Sequence, residues 1–206
     1  MGHVEFVGNA EELQQTKLFF FNLEMKETIM ALKGIISKDL ADVVETLWSI
    51  MIALGTNNKD LNANVQMIRE VLSSGRAYEK FREMVAAQGG MLKYVEEPEN
   101  FETSKFSIPV LSTENGVVES IDADIMGSVA TYLGAGRMKE SGQINRTAGI
   151  TMNKKIGDTV SVGEPLAFLH TDDDSKTNGP TQILREAFSI TTKKINTNSR
   201  VLEVIK

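Results

Sequence analysis

Residues 156–166, with the sequence IGDTVSVGEPL, carry the clearest structural signal in this chain. Gly157 and Gly163 stand where tight turns need backbone conformations that other residues avoid. The residues between them alternate between polar and apolar, as short strands do. The stretch therefore predicts short strands bounded by two glycine turns.

The same stretch resembles the V/I-G-D-x-V-x-x-G-x-x-L pattern of barrel-sandwich hybrid folds, which include biotinyl and lipoyl carrier domains. A carrier domain also needs an exposed lysine at a hairpin tip, in a Met-Lys-Met or Asp-Lys-Ala setting. The nearest candidates are Lys93, Lys139 and Lys154, and none of them stands in either setting. The pattern therefore indicates a fold rather than a carrier function.

Residues 106–206, which include this stretch, predict an α+β domain with a compact antiparallel core. Helices are expected at 124–133 and from Pro180 to about residue 188. Strands are expected at 106–110 and 116–121, around an Asn115-Gly116 turn, and at 149–152, 159–162, 166–169 and 201–205.

Residues 22–93 have the apolar spacing of helices and show no clear strand. Glycines at helix ends separate the helical segments, which are expected at about 22–33, 39–54, 59–74 and 77–88. The second segment has a broad apolar face, which predicts a buried helix; its members are Leu40, Val43, Val44, Leu47, Ile50, Met51 and Leu54. Residues 94–105 (YVEEPENFETSK) hold a proline and several acidic side chains, which indicates an exposed linker and a domain boundary.

The composition excludes several classes of function. The chain has 206 residues, 22 Lys and Arg against 28 Asp and Glu, and a net charge of −6, so no basic face for nucleic acid is expected. Without cysteine it can form no disulfide, thiolate zinc site or cysteine nucleophile. Its two histidines, His3 and His170, are too few for a histidine metal cluster. The sequence contains neither a signal peptide nor a run of about 20 apolar residues, so we expect a cytoplasmic protein that does not bind membranes.

Two local motifs have both a chemical and a structural interpretation. Residues 134–137 (GAGR) could cradle a phosphate, but they follow a predicted helix, whereas phosphate loops precede one; a turn that ends the helix is favoured. Residues 170–174 (HTDDD) place an imidazole beside three carboxylates without calcium-loop spacing, and a solvated turn after a strand is favoured. The composition allows Ser/His/Asp catalysis, although no G-x-S-x-G elbow supports it.

Six blocks, taken in order, carry a more specific resemblance. They are 23–34 (LEMKETIMALKG), 38–40 (KDL), 81–90 (FREMVAAQGG), 122–137 (DADIMGSVATYLGAGR), 149–158 (GITMNKKIGD) and 163–166 (GEPL). Together they resemble the C-terminal portion of the pyrimidine-nucleoside phosphorylases, the family of bacterial thymidine phosphorylase, over residues 22–206. The resemblance implies that residues 22–93 correspond to the end of the family's α/β domain. Residues 106–206 then correspond to its C-terminal α+β domain, of α/β-hammerhead or barrel-sandwich-like fold.

The resemblance also implies a reaction of nucleoside salvage, in which a pyrimidine nucleoside and phosphate give the free base and a pentose 1-phosphate. Members of the family carry a long N-terminal part with a Lys-His-Ser phosphate loop and a later Arg…Ser…Lys set that grips the base. Neither set occurs in these 206 residues. We therefore expect a truncated chain that is inactive alone. The alternative is a scaffold or interaction module without catalysis, or a complementing fragment of a split enzyme.

One metal ligand of the family can be placed on this sequence. The resemblance implies that Glu27, the second glutamate of the L-E-x-K-E block, contributes to a potassium site; no other cofactor is expected. The remaining ligands are backbone carbonyls from the N-terminal part and from a stretch reading P-L-G-x-x-x-G-N, where this chain has residues 14–21 (QQTKLFFF). Without those ligands, a solvated helix carboxylate paired with a lysine is the alternative interpretation. Asn145 is a second departure, because many relatives carry an aspartate there.

Residues 1–21 match none of the family blocks, and the apolar face of segment 39–54 has no obvious partner within the sequence. Large apolar faces in water mark interaction surfaces. We therefore expect a homo-oligomer or a complementing chain to cover this face, with Phe19–Phe21 contributing.

Overall fold

The computed structural model describes residues 22–136 and 144–195. The N-terminal part of the described chain is helical, as predicted. Its helices are α1 (Asn22–Leu32), α2 (Lys38–Gly55), α3 (Leu61–Ser73), α4 (Arg76–Ala87) and α5 (Lys93–Glu96), followed by a 3-10 turn at Pro98–Asn100. The segment 1–21, Arg137, Lys139 and the strand predicted at 201–205 lie outside the described residues.

Helix α2 buries the side opposite to the one that its sequence predicts. Ser49 and Ala53 are buried, whereas Leu47 is 56% exposed, Met51 65% and Leu54 79%. At about 100° per residue, the two sets lie on opposite sides of the helix. The prediction that this apolar face is buried is therefore wrong. Its remaining members are only partly buried: Leu40, Val43, Val44 and Ile50.

The small side of α2 faces α3, which explains this orientation. The side-chain amide of the fully buried Asn64 donates a hydrogen bond of 3.0 Å to the Ser49 carbonyl. One turn earlier on α2, Glu45 accepts two hydrogen bonds from Arg69, at 2.8 and 2.7 Å. These polar contacts form only when the side of α2 that carries Ser49 and Ala53 faces α3. The large apolar side chains of α2 therefore point away from α3.

Exposed large apolar side chains are concentrated in the helical part of the described chain. Between residues 22 and 93 they are Met30, Ile35, Leu47, Trp48, Met51, Leu54, Leu61, Met67, Met84 and Met91; between 94 and 195 they are Leu111, Tyr132, Val162 and Ile183. None of the described helices combines the length and hydropathy needed to cross a bilayer.

The segment 94–105 is more ordered than its composition indicates. Phe101 is 2% exposed, and its ring stacks on that of Tyr94 with 5.1 Å between centroids. Val95 is 1% exposed, and its carbonyl accepts a hydrogen bond of 3.1 Å from the Tyr78 hydroxyl of α4. These contacts attach the segment to the helices, whereas its role as a boundary between two domains stays a prediction.

The C-terminal part contains two three-stranded antiparallel sheets. Their strand orders are β1 (Phe106–Leu111), β5 (Pro165–Thr171), β3 (Gly149–Met152) and β4 (Thr159–Val160), β2 (Gly116–Ile121), β6 (Phe188–Thr191). Helices α6 (Ala123–Ala130) and α7 (Gly179–Glu186) complete this part, with a π-type turn at Thr131–Ala135 and a 3-10 turn at Asp174–Lys176.

Both sheets share one hydrophobic core. Val110, Leu166 and Leu169 from the first sheet, Val118 from the second and Leu184 from α7 are all 0% exposed. The predicted α+β class is confirmed. The strands of the described residues form two separate sheets rather than a closed barrel.

Three glycines in this part of the chain are required by turn geometry or by a close backbone approach. Gly157 and Gly163 have φ angles of 97° and 84°, which confirms the predicted glycine turns. The expected Asn115-Gly116 turn does not form a hairpin, because β1 pairs with β5 whereas β2 pairs with β4 and β6. Gly116 is needed for another reason: a Cβ there would lie 2.5 Å from the Thr191 carbonyl oxygen on β6.

The helical part and the C-terminal part are in direct contact. The backbone N–H of Asn22 donates to the Arg146 carbonyl at 3.3 Å, and its side-chain amide donates to the Glu102 carbonyl at 2.7 Å. At the start of α2, the Asp39 carboxylate and the Lys155 ammonium form an ion pair of 2.8 Å. These contacts attach the starts of α1 and α2 to segments of the C-terminal part that flank β3 or precede β1.

Candidate functional site

Two cavities flank helix α6 in the described residues. The first, of about 310 Å³, lies between α1, α6, the π-type turn and β3; its lining residues are Leu23, Glu24, Met126, Gly127, Ala130, Thr131, Ala135, Gly136, Ala148, Gly149 and Ile150. The second, of about 580 Å³, is lined by Ala123, Asp124, Gly127, Ser128, Thr131 and Tyr132. The charged side chain in each lining is a carboxylate, which repels phosphate. The described residues therefore give neither cavity the positive charge of a phosphate site.

Residues 134–136 come after α6, as the helix-ending interpretation predicts: Gly134 and Ala135 end the π-type turn, and Gly136 follows it. Gly134 has φ of 114°, and its carbonyl accepts a hydrogen bond of 2.8 Å from the Asn145 N–H. A Cβ on Gly136 would lie 2.6 Å from the Thr131 hydroxyl oxygen. Backbone geometry thus explains both glycines without a bound phosphate.

His170 lies near the end of β5, half-buried between two hydroxyl groups. Its Nε2 shares a hydrogen bond of 2.8 Å with the Thr151 hydroxyl on β3, and its Nδ1 lies 3.5 Å from the Ser104 hydroxyl. Burial lowers the pKa of His170 below its usual value, and the positive charge of Lys26 on α1 lowers it further. The imidazole is therefore neutral at pH 7 and available for hydrogen bonding.

Asp172, immediately after β5, joins three segments of the chain. Its carboxylate accepts hydrogen bonds from the Thr147 hydroxyl, from the side-chain amide of Asn145 at 2.9 Å and from the Lys105 N–H at 2.7 Å. The Thr147 bond is the main cause that holds the pKa of Asp172 below its usual value, and the other two bonds act in the same direction. Asp172 therefore acts as a charged structural anchor.

Ser104, His170 and Asp172 do not form a catalytic triad. Ser104 donates its hydroxyl hydrogen to the Phe106 carbonyl at 2.9 Å, and Asp172 is bonded to the groups described above rather than to the imidazole. A triad needs the carboxylate to orient the histidine and the histidine to activate the serine. These contacts instead join the end of the central strand β5 to β3 and to the segments that precede β1 and β3.

The solvated-turn interpretation holds for only part of residues 170–174. Asp173 and Asp174 are exposed, and the Asp173 carboxylate accepts hydrogen bonds from the Ser175 hydroxyl and N–H at 2.6 and 3.0 Å. These two bonds, with the hydroxyl first, lower the pKa of Asp173. His170 and Asp172, by contrast, are held in the contacts described above.

The Asp172 network could have been found from the strand register. Gly149 of β3 lies opposite His170 of β5. In an antiparallel pair, the residue two positions before Gly149 therefore faces the residue two positions after His170. Thr147 and Asp172 occupy these positions, but the register itself is not visible in the sequence.

Glu27 lies exposed on α1, consistent with the solvated-carboxylate interpretation. Its side chain forms no hydrogen bond or ion pair within the part of the chain that the structure describes, so the suggested lysine partner is not found there. The same residues contain no group of three or more His, Asp or Glu side chains able to hold a metal ion. The assignment of Glu27 to potassium stays a prediction.

The described lysines considered for a carrier function are already in contact with neighbours. Lys154 donates to the Thr159 carbonyl at 2.8 Å and pairs with Glu164 at 3.2 Å. The backbone N–H of Ser161 and then Lys154 lower the pKa of Glu164. Lys93 lies on α5, over the Tyr94 ring, and not at a hairpin tip.

Comparison with known proteins gives this arrangement a family context. Residues 117–191 match the pyrimidine nucleoside phosphorylase C-terminal domain. The chain resembles the C-terminal portion of pyrimidine-nucleoside phosphorylases. The matched residues include helix α6 and strands of both sheets, although β1 lies before them. The resemblance expected from the sequence blocks is confirmed.

The similarity extends into the helical part of the chain. The matched length of 150 residues is greater than the length of residues 94–206, so some of it must lie before residue 94. Over 150 residues, the chain is 39% identical to the pyrimidine-nucleoside phosphorylase of Bacillus subtilis and 36% identical to that of Staphylococcus haemolyticus. The enzyme of the same name from Staphylococcus aureus is 35% identical. Each match spans 73% of this chain but only 35% of the relative.

Proposed function

We propose that this chain acts in pyrimidine-nucleoside phosphorolysis as the C-terminal portion of an enzyme. The phosphate and base sites of that enzyme would lie in a part of the polypeptide other than these 206 residues. In this reaction a phosphate oxygen forms a bond to C1′ of the pentose while the bond from C1′ to the pyrimidine nitrogen breaks. The base leaves with the bonding electrons and takes up a proton. The 150-residue match to pyrimidine-nucleoside phosphorylases is the observation that carries this proposal.

The described residues support a non-catalytic role for these 206 residues alone. Phosphorolysis needs cationic side chains or N–H donors around the phosphate, because the transition state develops charge there. The cavity walls instead carry Glu24 and Asp124. His170 is neutral and contacts hydroxyl groups, so it does not supply that positive charge.

The second candidate is a scaffold or interaction module without catalysis. The exposed apolar side of α2 favours it, because such a surface suits binding to another protein. The two candidates differ in whether a complementing polypeptide restores turnover.

Potassium belongs to the first proposal. We propose that the Glu27 carboxylate is one potassium ligand when further polypeptide supplies the remaining oxygen ligands; its exposed position on α1 leaves it available for this. Glu27→Gln is then expected to raise the potassium concentration needed for half-maximal activity of the complemented enzyme. An unchanged potassium dependence contradicts the assignment.

We place this activity in the cytoplasm. The absence of cysteine means that the chain uses no disulfide, as is usual for cytosolic proteins.

Complementation tests the proposed function. The part of the Bacillus subtilis enzyme that this chain does not match is coexpressed with the 206-residue chain, and uridine and thymidine phosphorolysis is followed by absorbance. We expect turnover that requires both polypeptides and phosphate. A stable complex that shows no turnover contradicts the proposed function and favours the scaffold.

A further inference from the structure

Two Asn-Gly pairs occur in this chain, and their surroundings differ. They are Asn115-Gly116, where β2 begins, and Asn178-Gly179, where α7 begins, and the sequence contains no other such pair. An asparagine followed by glycine is prone to lose its side-chain amide. The reason is that a residue without a Cβ lets its backbone nitrogen approach the preceding side chain.

The Asn115-Gly116 pair is held on both of its residues. The side-chain oxygen of Asn115 accepts a hydrogen bond of 2.8 Å from the Val162 N–H. Gly116 lies opposite Val160 of β4, and a Cβ on it would lie 2.5 Å from the Thr191 carbonyl oxygen of β6. A reaction between the two residues must therefore break a hydrogen bond and displace β2 from its neighbours.

The Asn178-Gly179 pair has neither of these restraints. Both residues are exposed, and a Cβ on Gly179 would meet no neighbouring atom within 4 Å. Asn178 directly precedes α7, but its side chain makes no capping hydrogen bond to the helix. Its backbone, with φ of −99° and ψ of −49°, also departs from the extended conformation that is usual at this position.

Pro180 explains why the helix does not fix the Asn178 side chain. The residue before a helix normally accepts a hydrogen bond from the N–H of the second or third helical residue. The second residue of α7 is Pro180, which has no N–H. The third is Thr181, whose hydroxyl donates to the Asn178 carbonyl at 2.7 Å. The side-chain amide of Asn178 is therefore not restrained by a cap.

We propose that Asn178 is a site of spontaneous modification, at which the side-chain amide is converted to a carboxylate, whereas the fold protects Asn115. The backbone nitrogen of Gly179 forms a bond to Cγ of Asn178, and the bond from Cγ to the amide nitrogen breaks. Ammonia leaves with the bonding electrons and with the proton of the Gly179 N–H. Water then opens the cyclic imide at either of its two carbonyl carbons and returns a proton to the Gly179 nitrogen, which gives aspartate or isoaspartate.

Either product changes the start of a helix that belongs to the core. Leu184 of α7 is 0% exposed and packs with the residues of both sheets. Aspartate adds a negative charge at the N-terminal end of α7, where the helix dipole favours it. Isoaspartate instead lengthens the backbone by one carbon at the same point. The modification therefore changes the charge and the geometry at the start of α7.

Mass spectrometry of tryptic peptides tests this inference. The folded chain is incubated in mildly alkaline buffer, and the mass gain of amide-to-acid conversion is followed with time. Trypsin cleaves after lysine and arginine, so the two pairs fall on separate peptides, 106–137 and 177–185. Asn178→Asp supplies the reference peptide for the aspartate product.

We expect Asn178 to be converted at least about tenfold faster than Asn115, because conversion of Asn115 must first break its hydrogen bond and displace β2. In concentrated urea, where neither pair is held by the fold, the two rates should approach each other. Gly179→Ala should slow the conversion of Asn178 severalfold, because the new Cβ hinders the approach of the backbone nitrogen. The matched control is Gly127→Ala on α6, which also meets no atom within 4 Å and should leave the rate unchanged. Thermal melts confirm that both variants are folded.

Three results would overturn the inference. The first is an equal rate for Asn115 and Asn178 in the folded chain. The second is no conversion of Asn178 in the folded chain under conditions in which the unfolded chain is converted. The third is a rate that Gly179→Ala leaves unchanged, which would place the mass gain at Gln182 of the same peptide. None of these measurements depends on phosphorolysis, so the inference stands or falls separately from the proposed function.

Discussion

Asp172 shows how one carboxylate can connect segments that are distant in sequence. It accepts hydrogen bonds from Thr147 and Asn145, before β3, and from the Lys105 N–H, before β1. Because these bonds favour the charged form, they lower the pKa of Asp172 in the folded state. A substitution of Asp172 should therefore change both the free energy of unfolding and the way in which that free energy depends on pH.

Asp172→Asn should destabilise the chain by about 1–2 kcal/mol at pH 7, since it removes charge-assisted hydrogen bonds. The folded pKa of Asp172 lies below the unfolded value of about 4, so its stabilisation is complete above that value. It is lost as the pH falls through the folded pKa. Urea unfolding from pH 7 to pH 3 should therefore show a shrinking difference between wild type and variant; a constant difference would contradict this role.

Asn145→Asp tests the departure from the family at the same network. The variant would place a second carboxylate beside Asp172, where the amide nitrogen now lies 2.9 Å from the Asp172 oxygen. We expect a loss of about 1–2 kcal/mol at pH 7 beyond that of the control Asn145→Ala, because like charges repel. The excess loss should diminish as the pH falls and one carboxyl becomes protonated. Equal unfolding free energies for the two variants at pH 7 would show that no repulsion arises.

At the scale of elements, the glycines of β2 and α6 provide a matched pair of substitutions. Gly116→Ala should destabilise by about 1–3 kcal/mol, because the new Cβ would lie 2.5 Å from the Thr191 carbonyl oxygen. Gly127→Ala, on α6, meets no atom within 4 Å and should stabilise by about 0.5–1 kcal/mol through helix propensity. Thermal melts should thus move in opposite directions. A raised melting temperature for Gly116→Ala would mean that β6 does not pair closely with β2.

Some of these elements follow from local sequence, whereas others depend on tertiary contacts. The turns at Gly157 and Gly163 follow from local chemistry, so the sequence predicts them correctly. The orientation of α2 depends on a tertiary contact, since Asn64 and Arg69 of α3 fix which side is buried. The need for glycine at position 116 likewise depends on Thr191 of β6, which is distant in the sequence. Periodicity identifies an apolar side but not the neighbour that will cover it.

Across the whole molecule, the two parts of the chain differ in how far they bury their large apolar side chains. The C-terminal part encloses a continuous core, with Val110, Val118 and Leu166 fully buried. The helical part leaves Leu47, Met51 and Leu54 largely in water. The family resemblance could be read from ordered sequence blocks, whereas the polar network around Asp172 and the outward direction of the apolar side of α2 required the structure. These differences support a chain that works together with further polypeptide.

The most direct test is a phosphorolysis assay of the purified 206-residue chain alone. The assay contains uridine or thymidine, phosphate and potassium, and it measures base release by the change in absorbance. A cooperative thermal melt of the same sample establishes that the chain is folded. We expect a folded chain with no turnover, because the described cavities present carboxylates where phosphate would need positive charge. Turnover that disappears when phosphate is omitted would contradict it.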